Sequence, residues 1–254
     1  MMDTTTDDFL GGQLQIKQPL NGYRAGVDPI LLAASVAAEA GQTVLELGCG
    51  VGVASLALGR RVSGVSITGI EIQPDYADLA RENARTNGID MTVVTAALEQ
   101  MPVDVRQKSF DHVIANPPYF DRATSTSARD AGRERAMGEG TALHHWTTQA
   151  AKRLAPKGYA HFIFRADRLT ALLGAIPASC GSVVITPIQP RMGRDANLVI
   201  VHMRKGGRAA TRLMAPILMH DGESHNDTQK DYTRQMIDVL RHGHAMTNWC
   251  ASGQ

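Results

Sequence analysis

From residue 43 onward, apolar runs alternate with stretches in which small and apolar residues recur at helical spacing. The runs at 43–47, 66–72, 91–95, 110–115 and 159–164 read as buried strands. Helices are predicted from the glycines at 48–52 through Arg60, from Pro74 onward with Ala77, Ala80 and Ala84 on one face, over 143–154 and over 169–176. Strands alternating with helices imply right-handed crossovers and a mostly parallel sheet. The rhythm then changes. The runs 183–186 and 198–201 leave no room for a helix between them and are expected to pair antiparallel. The expected fold is therefore α/β, with a seven-stranded, mostly parallel sheet whose last strand is antiparallel.

Ahead of this domain, residues 13–17 alternate as a half-exposed strand, and Asn21-Gly22 marks a turn. A helix is predicted with Asp28 as N-cap and Pro29 at the first helical position, running to about Ala40 and closed by Gly41. Residues 1–41 thus form a small N-terminal cap of hairpin and helix, 42–241 the main domain and 242–254 a frayed tail. Residues 120–140 are polar and carry Arg122, Arg129, Arg133 and Arg135. A stretch of that length without periodicity inside a domain is a functional loop or disordered.

Composition narrows the class. The 254 residues are 43% hydrophobic and 20% charged, enough for a sizeable core. A net charge of +1 supplies no global basic field, so any nucleic-acid contact must be local. No apolar run has membrane-spanning length, and the acidic, polar start is unlike a secretory signal. Cys49, Cys180 and Cys250 are far apart, and no histidine pair joins a metal signature. These features describe a cytoplasmic protein with free thiols, no metal and no membrane contact.

Chemistry concentrates at two strand ends. Asn116-Pro117-Pro118-Tyr119 follows the apolar run 110–115. Proline cannot extend the ladder, so the strand stops there and presents an amide, two fixed carbonyls and an aromatic ring. Such a set suits a planar, amino-bearing substrate, and open α/β sheets bind ligands at this edge. Upstream stands Glu46-Leu47-Gly48-Cys49-Gly50-Val51-Gly52, and Glu71 closes the next strand, where a carboxylate can accept from ribose hydroxyls. The glycines run Gly-x-Gly-x-Gly, unlike a dinucleotide fingerprint. An acid at Glu46 would repel pyrophosphate but suits the cationic amino-acid end of S-adenosylmethionine. Asp28 is either only a helix cap or also faces the cofactor.

Together these motifs resemble class I S-adenosylmethionine-dependent methyltransferases of Rossmann-like fold that act on amino groups. The head, from Gly22 through Tyr23, Arg24, Ala25, Gly26, Val27, Asp28 and Pro29 to Leu32, resembles the bacterial YfiC-like branch, which methylates adenine N6 beside the anticodon of a valine tRNA. The late Arg204-Lys205-Gly206-Gly207-Arg208 resembles it too. The likeness spans roughly residues 9–241. It implies catalysis by Asn116, Pro117, Pro118 and Tyr119, the last stacking on the base. It implies a cofactor site of Asp28, Glu46, Gly48, Cys49, Gly50, Glu71, Ile72, Ala97, Leu98 and Asn116. An RNA substrate, a tRNA, would meet Arg24, Arg133, Lys205 and Arg208, and no obligate protein partner is implied.

One departure is the stretch Ala96-Ala97-Leu98-Glu99, where such enzymes often place an acid against the cofactor adenine. Ala97 cannot serve, which leaves backbone groups of Ala97 and Leu98, or Glu99. The same motifs also suit a protein glutamine N5 methyltransferase or an rRNA guanine N2 methyltransferase, and a non-catalytic RNA-binding domain could keep the fold.

Overall fold

The computed structural model describes residues 2–118, 143–222, 231–246 and 248–250. Tyr119, Arg122, Arg129, Arg133 and Arg135 lie outside them. The chain opens with an antiparallel hairpin, β1 (Thr4–Phe9) and β2 (Leu14–Pro19), followed by α1 (Asp28–Ser35). The alternating part then runs β3 (Thr43–Leu47), α2 (Val53–Arg61), β4 (Ser66–Glu71), α3 (Pro74–Asn87), β5 (Met91–Thr95), the single turn α4 (Val103–Arg106) and β6 (Phe110–Ala115). It continues with α5 (Leu143–Arg153), β7 (Leu154–Arg165), α6 (Leu169–Gly174), β8 (Cys180–Gln189) and β9 (Leu198–Lys205). Two short strands, β10 (Arg212–Leu213) and β11 (Ile217–Leu218), and α7 (Arg234–His242) complete the order.

The seven expected strands lie side by side as β5-β4-β3-β6-β7-β9-β8, and β9 alone runs antiparallel to both its neighbours. Strands β10 and β11 add two-residue segments along β8, so the sheet has nine strands among the described residues. The chain leaves β3 for β4 and β5 on one side, then returns to β6 on the other. The tips of β3 and β6 therefore flank the switch point, where a crevice opens in such sheets. No helix among the described residues is long and apolar enough to cross a membrane.

The hairpin is not laid loosely on this sheet. Its Leu14 and Ile16 are wholly buried with α1, Ile163, Ile200 and Met236. Two asparagines of α3 serve as surrogate strand partners for β2. Asn83 accepts from Lys17 N (2.8 Å) and donates to Lys17 O (3.0 Å), and Asn87 does the same for Gln15. Asn83 also donates to Val51 O (3.0 Å), tying the hairpin to the glycine loop.

Three expectations at the ends of elements need correction. Asp28 is the first residue of α1 and not its N-cap; Val27 takes that place through its carbonyl, which accepts from Ile30 N and Leu31 N. The helix stops at Ser35, not near Ala40, because its last carbonyls are taken from outside. Arg61 donates to Ala33 O (2.9 Å) and Val36 O (2.6 Å), Met246 N to Ala34 O (2.6 Å), and the Trp249 indole to Ser35 O (2.7 Å). The third correction follows. The described part of the tail is no frayed end, since Met246 and Trp249 are buried against α1.

A line of histidines crosses the sheet on this same face. His112 of β6, His161 of β7 and His202 of β9 are buried and joined ring to ring, Nδ1 to Nε2 at 3.0 Å and Nδ1 to Nδ1 at 2.8 Å. Gln42 Oε1 accepts from Glu39 N and lies 3.1 Å from His112 Nε2. That acceptor makes His112 the Nε2–H tautomer, so His161 donates through Nε2 and His202 through Nδ1. His202 Nε2, buried under the stacked Trp249 ring at 4.0 Å, has no partner among the described residues. Burial holds His112 down to about 4 and His202 down to about 3, and His161 well below its ordinary range. All three are neutral at pH 7.

Candidate active site

Leu47 and Ala115 are paired across β3 and β6, so the next residues, Gly48 and Asn116, emerge side by side from neighbouring strand tips. Adjacent strands lie about 4.8 Å apart. The glycine loop and the Asn-Pro-Pro turn are thus one continuous lip of the switch-point crevice.

Loop geometry explains its residues. Gly48, Gly50 and Gly52 all have positive φ, at 63, 54 and 90°. A side chain on Gly48 would strike the Trp146 ring of α5 at 2.5 Å, whereas beside Gly50 nothing among the described residues lies within 4 Å. Gly48 is therefore a packing glycine, and Gly50 borders open space that a side chain would fill. Glu71 reaches over this loop from the tip of β4. One carboxylate oxygen accepts from Gly50 N and the other from Gln73 N, both at 2.9 Å. Burial pushes its pKa up against these bonds. Ile72, next in line, keeps 47% of its surface exposed, an apolar ledge at the same edge.

Glu46 sits beneath the loop with 3% exposure. Its carboxyl accepts from the backbone N (3.1 Å) and the hydroxyl of Ser55 in the first turn of α2. Burial, with the nearby Glu71 charge in the same direction, pushes it up to about 8 despite those bonds. A carboxyl so placed gains most from a cation.

Tyr23, which sequence reasoning passed over as a residue of the site, closes its other side. Its backbone N donates to the Tyr76 hydroxyl at 3.0 Å, clamping the head segment onto α3. Its own phenol is hydrogen-bonded to the Asn116 side chain and, although 42% of the residue's surface is exposed, desolvation around the hydroxyl, then the charges of Asp28 and Glu46, push it up to about 12. Tyr23, Asp28, Glu46 and Asn116 are thereby one cluster. The aromatic at Tyr23 and its partner at Tyr76 were visible as residue types, but only the folding-back of the head shows that Tyr23 meets the tip of β6.

Other expected site residues fall elsewhere. The Cys49 side chain packs with Ala77, Ala80 and Val93 behind the loop, leaving only its backbone at the crevice. Leu98 is buried and Ala97 half-buried after β5. Glu99 does not reach in; it pairs with His145 at 3.1 Å. The Arg24 guanidinium is engaged by the hairpin, donating to Thr5 Oγ1 and Pro19 O at 2.7 Å and pairing with Asp7, so it is not presented to a substrate. Lys205 and Arg208 do not approach the catalytic edge either. Because β9 runs antiparallel, its carboxyl end lies beside Cys180 and Tyr159, at the opposite edge from Asn116. Pro117 is buried and Pro118 exposed just after Asn116. Among the described residues no group of acids, histidines and cysteines could hold a metal.

The sheet order with its single antiparallel strand, the glycine loop and the acid at the next strand tip define a Rossmann-like, class I methyltransferase. Residues 27–166, more than half of the chain, match the family described as methyltransferase small domain, and the chain belongs to that family. A tRNA1(Val) (adenine(37)-N6)-methyltransferase of Porphyromonas gingivalis is 31% identical over 176 residues, covering 66% of this chain and 68% of its relative. One from Haemophilus influenzae is 25% identical over 240 residues, covering 92% and 96%. Among solved structures, a predicted O-methyltransferase from Agrobacterium tumefaciens superposes with a TM-score of 0.68 at 26% identity, over 86% of this chain and 97% of that one.

Proposed function

We propose that this methyltransferase transfers a methyl group from S-adenosylmethionine to an exocyclic amine, adenine N6 beside the anticodon of a tRNA. The observation that carries the reading is the emergence of Asn116 beside the glycine loop at one switch point. The names of the tRNA-modifying relatives direct it to adenine in tRNA.

The residues present fit the cofactor. Open space beside Gly50 admits a close backbone approach, Glu71 is set to accept from ribose hydroxyls, Ile72 offers an apolar ledge, and the buried Glu46 carboxyl favours a cation. When bound, S-adenosylmethionine supplies an already activated methyl group on a sulfonium. What remains for the protein is the amine. Its lone pair is delocalised into the ring, and it becomes nucleophilic when its hydrogens are accepted in a fixed geometry. Asn116 accepts one through its amide oxygen and Pro117 the other through its carbonyl. In this reading the Asn116 N–H is the group held by the Tyr23 phenol, which leaves the amide oxygen for the target. Tyr119 supplies the stacking face, worth on the order of 1–3 kcal/mol per base.

Methyl transfer from labelled cofactor to total tRNA, followed by nucleoside mass spectrometry, tests the reading: N6-methyladenosine beside the anticodon is expected. Label in rRNA guanine or in a glutamine side chain would replace it. Two binding predictions accompany this. Glu71→Ala should weaken the cofactor by roughly 1–3 kcal/mol, the range for hydrogen bonds to a charged group, and unchanged affinity by calorimetry would remove Glu71 from the site.

Glu46 makes cofactor affinity depend on pH. A cation beside it lowers its pKa below the value of about 8 in the free protein, so binding expels a proton. Affinity should therefore rise as pH rises towards 8. Calorimetry in two buffers of different ionisation heat should register proton release at pH 7, and Glu46→Gln should abolish it. No buffer dependence in the parent protein would refute the coupling.

A further inference from the structure

Cations gather at the edge of the sheet opposite the crevice. The stretches 103–111, 152–158 and 204–208 converge there and carry eight Lys and Arg against two acids, in a chain of net charge +1. The remainder of the protein is accordingly net negative. The stretches are tied to one another. Arg153 donates to Arg106 O, Lys205 Nζ to Leu154 O (2.8 Å), and Arg204 Nε to Lys157 O (3.4 Å) while its guanidinium lies over the Tyr159 ring. Of the two acids, Asp111 is occupied by Thr43 N and Oγ1, which leaves Asp104. Arg106, Lys108, Lys157 and Arg208 are exposed.

We infer that this edge is a second RNA-binding surface, which takes the phosphate backbone of the substrate away from the nucleotide being methylated. The inference rests on the proposed RNA substrate. Its physical basis is that a contiguous cationic band on a nearly neutral protein suits a polyanion, whereas among the described residues Asp28, Glu46 and Glu71 at the crevice are all acids. Ile200 lies level with Asn116 through Ile163, and five residues of β9 separate it from Lys205. At about 3.4 Å per residue the band is roughly 17 Å from the level of the crevice. An extruded adenosine with one neighbour on either side cannot span that separation, whereas a folded tRNA can. The band would thus discriminate substrate size, while the crevice reads the base.

The test compares a full tRNA transcript with a trinucleotide centred on the target adenosine, using the parent and a Lys108→Glu plus Arg208→Glu variant whose fold is checked by circular dichroism. The parent should bind the transcript at least tenfold more tightly than the trinucleotide. The variant should lose most of that advantage and flatten the log–log salt slope by up to about 2, roughly one unit for each phosphate no longer neutralised. Its affinity for the trinucleotide should not change. Equal salt slopes for parent and variant, or equal parental affinity for both RNAs, would overturn the inference. Methyl transfer by the parent to the transcript is read in parallel, so failure of the catalytic reading shows there and not in the salt slopes.

Discussion

Asn116→Ala should reduce kcat by at least about 10²-fold, the range for removing one preorganised hydrogen-bonding group from a reacting centre, while cofactor affinity changes little. The side chain stands at the tip of β6, next to the loop but bonded to Tyr23, so in the proposed mechanism its work falls on the amine and not on the cofactor. Single-turnover kinetics with saturating RNA should place the loss in the chemical step. Tyr23→Phe provides a graded comparison. It keeps the ring and removes the oxygen that fixes the amide, so kcat should fall by less than in Asn116→Ala with the cofactor Kd unchanged. Parental turnover in Asn116→Ala would refute the assigned role. Parental turnover in Tyr23→Phe alone would mean that the amide is oriented without it.

Acid should unfold the protein early, and the buried histidine line is the reason. In the unfolded chain these side chains take up protons near pH 6.5, whereas in the fold His112 waits until about 4 and His202 until about 3. Their folded pKa values are depressed, so their full share of stability is present above pH 6.5. It drains away as pH falls towards 3, at up to about 1.4 kcal/mol per pH unit for each group. Urea midpoints measured between pH 7 and 4 should drop steeply. His112→Gln removes one such group, and its curve should be shallower than the parental one by about one proton's worth. Parallel curves would mean that His112 does not titrate on unfolding. Glu46 acts in the opposite sense, because its raised pKa costs stability progressively from about pH 4.5 up through about 8. The two windows overlap between about pH 4.5 and about 6.5, where three histidines outweigh one glutamate, so the ligand-free protein should be most stable near the upper end of that overlap.

The alternating core of the fold was legible because strand and helix periods differ and because glycine and proline punctuate them. Gly48 to Gly52 and Asn116 with its prolines announced two strand tips, and the switch point joins those tips. What was not legible depends on direction and register. Arg204, Lys205 and Arg208 form a basic run in sequence, but which edge they reach is set by β9 running backwards between β7 and β8. His161 and His202 are paired residues only once that register exists. Helix α7 was missed although its signals were present: Thr233 caps Met236 N, Met236 and Val239 share the buried face, and Gly243 ends it at φ 70°. The short α1 could not be inferred, since the donors that end it come from Arg61, Met246 and Trp249.

That last arrangement bears on how the protein is made. Two of the backbone carbonyls closing α1 near the start of the chain, those of Ala34 and Ser35, receive their donors from residues more than two hundred positions later. During synthesis this helix emerges early and stays incomplete at its carboxyl end until residue 249 has left the ribosome. Contacts of such sequence separation form late and slowly. The amino-terminal third should therefore remain accessible to proteases and chaperones throughout translation and become resistant in one late step.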